Sequence, residues 1–399
     1  MVANDLPQAP AVLLSFNRQG PFYRLQRRLG LLSDSHLAVG RRAALFLMLA
    51  WLPALVLALL QGLALNAQHE RALLLDFSVY AFGLALVAFV LMEQTSDKRM
   101  AWLVSQFVAQ GIVRDSARPA FAAARLNMER RAGAAWVEAL LLLAAYAIAY
   151  EWMSIGAARI PGGTWYGQSV DGQLQPTLPG WWALGVALPL FWFLLGRWLW
   201  RFFTWGLMLR DIARCDLRLV PSHPDRCGGI AFIGQYPKTY LMFVFALSSV
   251  VAAGVLKTVV YAGASLLSFK FALFGLVAFL VIAFVLPLLA FTPVLVALKK
   301  QGLSRYGALV SQHHLAFEAR WLGGSDDPRG DDALGSPDMS SLADLSAAYD
   351  LVKSMQAVPV TKASIFPLLL AATVPLAGVA LTRVPFKAIL DSVKGLLLL

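Results

Sequence analysis

Long apolar runs alternate with shorter polar segments along the 399-residue chain. A helix needs about 20 apolar residues to cross the hydrocarbon core of a bilayer, and seven runs are close to that length or longer. They cover residues 43–65, 72–92, 134–155, 181–209, 240–256, 271–298 and 363–381. The pattern predicts an all-α polytopic membrane protein with about seven transmembrane helices and helical insertions on the cytoplasmic side.

The segments between these runs give the domain organisation. Polar stretches at 93–133 and 299–362 keep apolar residues at helical spacing, which predicts helices outside the bilayer. Within the second stretch we expect a helix over about 342–356, capped by Ser340 or Ser341. The predicted order is a basic cytoplasmic leader (1–42), a transmembrane hairpin (43–92) with a tight turn at 66–71, cytoplasmic helices (93–133), a transmembrane pair (134–209) with an irregular external loop (156–180), a cytoplasmic loop (210–239), a second pair (240–298), a cytoplasmic insertion (299–362) with an acidic linker, a last transmembrane helix (363–381) and an amphipathic interfacial tail (382–399).

Composition and charge place this chain in a lipid environment and orient it. Hydrophobic residues make up 59% and charged residues 14%, with a mean hydropathy of +0.64. With a cytoplasmic N-terminus, about 25 of the 34 Lys and Arg fall on internal segments, which agrees with the positive-inside rule. The formal charge of +11 therefore follows from topology, and no nucleic-acid partner is expected. The first apolar run, at 43–65, is long enough to span the bilayer, so we expect it to remain as a membrane anchor and not to be cleaved as a signal peptide.

Charged residues inside the runs predict two layers of ion pairs, because charges in lipid need partners. Glu138 lies at the same cytoplasmic depth as Arg197 and Arg201, and we expect it to pair with one of them. A second, external layer is predicted from Asp76, Glu151 and Lys257. Between the layers the fifth run offers only small, weakly polar residues such as Ser248 and Ser249. These two line a narrow pore or simply let helices pack closely.

The loop Pro221–Ile230 carries the densest set of chemically capable side chains. Two prolines and two glycines predict one fixed shape for it. Its candidate functional residues are His223, Asp225, Arg226, Cys227, Gly228 and Gly229.

Several local roles fit these loop residues. His223 and Asp225 have the types of a base and its orienting acid, whereas Asp225 also suits the cap of a following turn. Cys215, His223 and Cys227 match no common zinc spacing, and Gly228-Gly229 belongs to no known phosphate-binding pattern. We therefore predict neither a metal nor a cofactor, and the catalytic and structural interpretations of the loop both stay open.

Two groups of residues resemble a widespread group of uncharacterised bacterial multi-pass membrane proteins. They are His223-Pro224-Asp225 with Gly228-Gly229, and Leu334-Gly335-Ser336-Pro337-Asp338 followed by Ser341-Leu342-Ala343-Asp344-Leu345, Val352-Lys353-Ser354-Met355 and Val358-Pro359-Val360. The resemblance covers about residues 221–381 and implies a bacterial inner membrane as location. It carries no activity with it. This chain departs from the group at Cys227, where a small residue such as alanine is usual.

Three functions are compatible with these patterns. The first is a homo-oligomeric channel or permeation pathway, gated by a cytoplasmic collar of the helices in 93–133 and 299–362. The second is a membrane-surface enzyme that acts on a lipid or phosphorylated headgroup through His223, Asp225 and Arg226. The third is a scaffold subunit of a membrane complex, which docks a cytoplasmic protein partner through the insertion at 299–362.

Overall fold

The computed structural model describes residues 18–32, 37–65, 72–159, 163–261, 263–322, 337–360 and 362–381. Within these ranges, seven helical stretches are long and apolar enough to cross a membrane. The predicted class, an all-α polytopic membrane protein, is therefore confirmed. The leader up to residue 17, the turn at 66–71, the linker at 323–336 and the tail at 382–399 lie outside the described residues.

The helices and one small sheet follow each other along the chain in a simple order. The helices are α1 (Pro21–Arg28), α2 (Val39–Leu60), α3 (Phe77–Ala109), α4 (Arg118–Ala132), α5 (Ala135–Arg159), α6 (Leu178–Trp182), α7 (Leu188–Ala213), α8 (Leu241–Tyr261), α9 (Lys270–Val285), α10 (Thr292–Trp321), α11 (Pro337–Lys353) and α12 (Lys362–Leu381). Two strands, β1 (Gly167–Val170) and β2 (Gln173–Pro176), pair antiparallel between α5 and α6. Tight 3₁₀ segments cover Ala231–Tyr240, Leu266–Phe269 and Leu286–Phe291.

Helix α3 runs unbroken through the boundary that the sequence predicted at residue 92. Asp76 caps its start by accepting a hydrogen bond from the Ser78 amide at 3.0 Å. No Gly or Pro interrupts residues 93–109, so the polar turns continue the apolar helix. The helix ends at Ala109, and Gly111, whose φ is 66°, allows the Ile112 amide to reach back to the Phe107 carbonyl.

Helix α10 carries the sixth apolar run far beyond the predicted end of the span at residue 298. Pro287 and Pro293 lack amide protons, and the chain between them forms a 3₁₀ segment rather than a break. Helix α11 packs back along α10, and we call these two helices the hairpin (Thr292–Trp321 and Pro337–Lys353). The predicted serine cap is wrong, because α11 begins at Pro337, a favoured first helical residue.

The β-strands correct the prediction that 156–180 is irregular. Helix α5 continues to Arg159, and the strands are joined by Asp171 and Gly172, both with positive φ (51° and 76°). An Asp-Gly pair between two strands is a typical two-residue hairpin turn. The sequence therefore contained this signal within a segment that has no clear periodicity.

The core of the bundle is aromatic. Helix α3 packs on α2 and α8, α5 lies along α7, and α12 covers α8. Ring pairs fill the space between them, with centroids 4.5 Å apart for Phe82 and Phe191 and 5.4 Å apart for Phe89 and Phe243. The indole of Trp198 donates to the Phe89 carbonyl at 3.1 Å, which ties α7 to α3. The Phe82 and Phe191 rings meet edge to face at 77°, whereas the Phe89 and Phe243 rings are tilted at 33°.

Candidate functional site

The Asp225 carboxylate organises the loop Pro221–Ile230. Its Oδ1 accepts hydrogen bonds from the amides of Cys227 (2.8 Å) and Gly229 (3.0 Å), and its Oδ2 accepts one from Ala231 (2.9 Å). Burial alone would raise the pKa of Asp225, but these three amides and His223 together hold that pKa below its ordinary value. The carboxylate is thus a charged hub that fixes the loop and starts the 3₁₀ segment at Ala231.

His223 contacts Asp225 in either protonation state. Its Nδ1 lies 2.9 Å from the Oδ1 of Asp225 and 3.3 Å from the Asp225 amide nitrogen. A protonated Nδ1 donates to the carboxylate, whereas a bare Nδ1 accepts from the amide. The side chain of His223 is 42% exposed, so the ring borders solvent. Its geometry is that of a loop-holding residue beside an acid already committed to backbone amides.

The glycines and the cysteine of the loop face the protein interior. Arg226, Gly228 and Gly229 all have positive φ (58°, 68° and 100°), which turns the chain back toward the bundle. A Cβ on Gly228 would meet the Leu298 side chain at 3.0 Å. Cys227 is 1% exposed, and burial followed by the Asp225 charge raises the pKa of its thiol to about 11. That thiol is a poor nucleophile and a poor metal ligand at neutral pH.

The loop holds the base of the hairpin, and we call this contact region the joint. The Gln356 amide donates to the Arg226 carbonyl at 2.7 Å, and Lys299 Nζ donates to the Met355 carbonyl at 2.8 Å. The hydroxyls of Ser222 and Tyr306 lie 2.9 Å apart.

A glycine allows the closest approach within the joint. Gly302 of α10 packs so tightly that a Cβ there would stand 2.8 Å from Pro221 and 2.9 Å from Val352. The loop, α10 and the segment after α11 therefore meet as one packed unit.

Charges near the joint end of the bundle form a buried ion cluster of Gln26, Arg42, Glu93, Glu138, Arg197 and Arg201, each less than 9% exposed. As predicted, Glu138 pairs with one of the two arginines: its Oε1 lies 3.3 Å from Arg197 Nε, although no hydrogen bond is aligned there. The other carboxylate oxygen accepts from the Phe22 amide at 2.7 Å, which fastens α1 to the bundle.

The centre of the ion cluster was missed by sequence reasoning. Glu93 lies 2.6 Å from Arg42 Nη1 through one oxygen and 3.3 Å from Arg201 Nη2 through the other. Arg42 also donates to the Gln26 side chain at 2.6 Å. Arg42 directly precedes the first apolar run and Glu93 directly follows the second, so equal depth could have predicted this pair. Because both residues lie one position outside the limits of the apolar runs, the comparison of depths in the bilayer did not include them.

The opposite end of the bundle holds the second predicted layer in part. Lys257 Nζ lies 2.8 Å from the Oδ2 of Asp76, which also accepts from the Trp165 indole at 3.0 Å. Glu151 was assigned to this layer by depth alone, but its side chain is exposed on α5 and joins no ion pair among the described residues. Asp76 is 2% exposed, so this pair ties α3 to α8 inside the protein.

The pore-lining candidates lie on α8. Ser248 is fully buried, and its hydroxyl has no hydrogen-bond partner in the described part of the chain. Ser249 is partly exposed and donates to the Phe245 carbonyl of its own helix at 2.8 Å. Helix α8 is packed by α3 on one side and by α12 on another. Within one chain these serines accompany close helix packing.

No group of three or more His, Cys, Asp or Glu in the described ranges is placed to hold a metal ion. Comparison with protein families, curated proteins and solved structures gives no match to this chain. The fold itself defines the class, which is a polytopic all-α membrane protein. Its distinguishing features are ion pairs buried near both ends of the bundle and a long helical hairpin joined to the loop Pro221–Ile230.

Proposed function

We propose that this chain is a structural subunit of a homo-oligomeric membrane assembly, in which the hairpin forms a cytoplasmic collar with the hairpins of neighbouring copies. The observation that carries the proposal is the uncovered far half of α10. Leu309, Leu315 and Leu322 are 51%, 66% and 73% exposed. In the proposed collar this half of α10 stands in water: at 1.5 Å per residue, Leu315 lies about 25 Å beyond Leu298, where the apolar run ends. Large apolar side chains in water are typical of a contact surface.

Charge complementarity favours a second copy as the partner. Lys300 and Arg305 are exposed on α10, whereas Asp344 and Asp350 are exposed on α11. Side-by-side copies in a closed ring would bring the basic helix of one subunit against the acidic helix of the next.

The heights of these charges along the hairpin also match. Gly302 packs against Val352 and Gly307 against Tyr349, so Arg305 and Asp350 lie at the same level of the hairpin. We infer that Arg305 of one copy meets Asp350 of its neighbour.

The other two functions receive less support from the geometry. Each charged layer consists of ion pairs inside one chain, and aromatic rings such as those of Phe82 and Phe191 pack between the layers. A permeation pathway would therefore run along the axis shared by several copies. At the candidate catalytic loop, both Asp225 oxygens are already occupied by backbone amides. These contacts favour a structural loop that supports the collar.

The test is a charge reversal with rescue, read by native mass spectrometry and mass photometry of protein in nanodiscs. Arg305→Asp is expected to shift the population from oligomer to monomer, and Arg305→Asp with Asp350→Arg to restore the oligomer. Arg214→Asp, an exposed arginine outside the hairpin, is the matched control and should leave the oligomer intact. A monomeric wild-type protein, or a rescue variant that stays dissociated, would contradict the proposal.

A further inference from the structure

A groove of about 580 Å³ opens on the surface between α3 and the start of α8. None of its lining residues belongs to the joint or to either ion layer, although Met92 directly precedes Glu93 of the ion cluster. Its walls are Met92, Thr95, Lys98, Arg99 and Trp102 of α3, with Lys238, Thr239, Leu241 and Met242 on the other side.

The groove is apolar at one end and basic at the other. Met92 ends the apolar run of α3, and Leu241 and Met242 begin the apolar helix α8. Lys98 and Arg99 lie about two turns further along α3, and Lys238 precedes α8 by three residues. The groove therefore crosses the level at which hydrocarbon gives way to headgroups. Trp102, 40% exposed, has the amphipathic character of an interfacial residue.

The polar groups of the groove are available to a ligand. In the part of the chain that the structure describes, neither Lys98 nor Lys238 has an ion-pair partner. Arg99 is held in place by the Gln235 side chain at 2.7 Å and by the Trp102 ring 4.8 Å away.

None of the nine residues that line the groove is acidic. Asp97 precedes Lys98, but it is absent from the groove wall and its charge acts on the buried Tyr240. Three cations therefore face the opening without an acid between them. Cations with fixed spacing are groups that recognise phosphate oxygens.

We propose that this groove binds one anionic glycerophospholipid. Lys98, Arg99 and Lys238 hold its phosphate, and Leu241 and Met242 contact the acyl chains. The apolar end favours a lipid over a free phosphate, because inorganic phosphate gains nothing from those side chains. The site is independent of the proposed collar, since none of its residues belongs to the hairpin.

The experiment measures lipid binding to delipidated full-length protein in detergent by native mass spectrometry, with phosphatidylglycerol and phosphatidylcholine as probes. Each cation near a headgroup contributes about fivefold in affinity, so Lys98→Gln with Lys238→Gln should weaken the tightest phosphatidylglycerol site about 25-fold. Phosphatidylcholine binding should stay within twofold. The matched control is Arg214→Gln with Arg218→Gln, which removes the same charge from exposed positions at the same end of the bundle.

Two further arms decide the source of the phosphate and guard against misfolding. Inorganic phosphate at the same concentration is expected to leave the lipid bound, and displacement by it would overturn the proposal. An equal loss in both charge-removing pairs, or no loss in the groove pair, would overturn it as well. If the double variant does not fold, the single variants Lys98→Gln and Lys238→Gln are each expected to show the fivefold loss.

Discussion

Replacing Glu93 by glutamine tests the buried ion cluster most directly. The change keeps the shape of the side chain and removes the charge that lies 2.6 Å from Arg42 and 3.3 Å from Arg201. The cluster holds three arginines and two glutamates, so its excess charge rises from +1 to +2. Breaking a buried ion pair on one side costs about 3–5 kcal/mol, because the remaining charge stays desolvated.

The contacts that survive set the expected value within that range. Arg42 keeps its bond to Gln26, and the Arg201 guanidinium keeps its place 4.9 Å from the Trp198 ring. We therefore expect Glu93→Gln to lower the free energy of unfolding by about 3 kcal/mol, the lower end of the range. Glu138→Gln should cost about half as much, since its amide oxygen can still accept from the Phe22 amide.

The assay is unfolding in mixed detergent, followed by the fluorescence of the 12 tryptophans and by circular dichroism. Glu151→Gln is the control, because that side chain is exposed on α5, and it should change stability by less than about 0.5 kcal/mol. A double-mutant cycle of Glu93→Gln with Arg42→Gln should give a coupling energy of about 1–3 kcal/mol. Equal effects of Glu93→Gln and Glu151→Gln would refute the assigned role of the cluster.

Three further changes test the joint and the opposite ion pair. Gly302→Ala should lower the free energy of opening of the hairpin by about 1–3 kcal/mol, because the new methyl group meets a carbon of Pro221 at 2.8 Å. Hydrogen exchange on α11 measures this change. Gly254→Ala, where the added methyl group meets open space, should leave exchange on α11 unchanged. Asp225→Ala should speed hydrogen exchange of the three backbone amides that donate to its carboxylate, those of Cys227, Gly229 and Ala231. Because the pKa of Asp225 lies below its ordinary value of 3.8, its stabilisation is complete above that value and is lost as pH falls through the lowered pKa, so wild-type protection should persist down to about pH 4. Lys257→Met should cost about 3–5 kcal/mol by leaving Asp76 charged and buried, and adding Asp76→Asn should recover most of that loss in the same unfolding assay.

The sequence predicted those features that depend on local composition or on depth in the bilayer. Apolar runs located the spans, and counting residues along two helices predicted the pair of Glu138 with Arg197. The same count reaches Glu93 and Arg42 once the limits of the runs are widened by one residue. The Asp171-Gly172 turn was readable as well, although a four-residue strand is too short to show periodicity.

Long-range contacts explain what could not be predicted. The hydrogen bonds of Asp225 reach amides only two, four and six residues ahead, so its role as the cap of a following turn could be read from the loop itself. The joint, in contrast, depends on Gly302 meeting Pro221 and Val352 from distant parts of the chain. No local pattern encodes such contacts. The unbroken course of α3 and α10 was also hidden, because a change from apolar to polar residues marks the edge of the lipid and does not mark the end of a helix.

Helix α3 is fastened at two heights, by Lys257 on Asp76 and by two arginines on Glu93. Those acids are 17 residues apart in sequence, or about 26 Å along the helix axis. Sliding α3 along its own axis would break both sets of ion pairs at once, so the helix is held at one height in the bundle. The start of the hairpin is anchored as well, because Leu288 and Phe291 of the 3₁₀ segment that precedes it are fully buried.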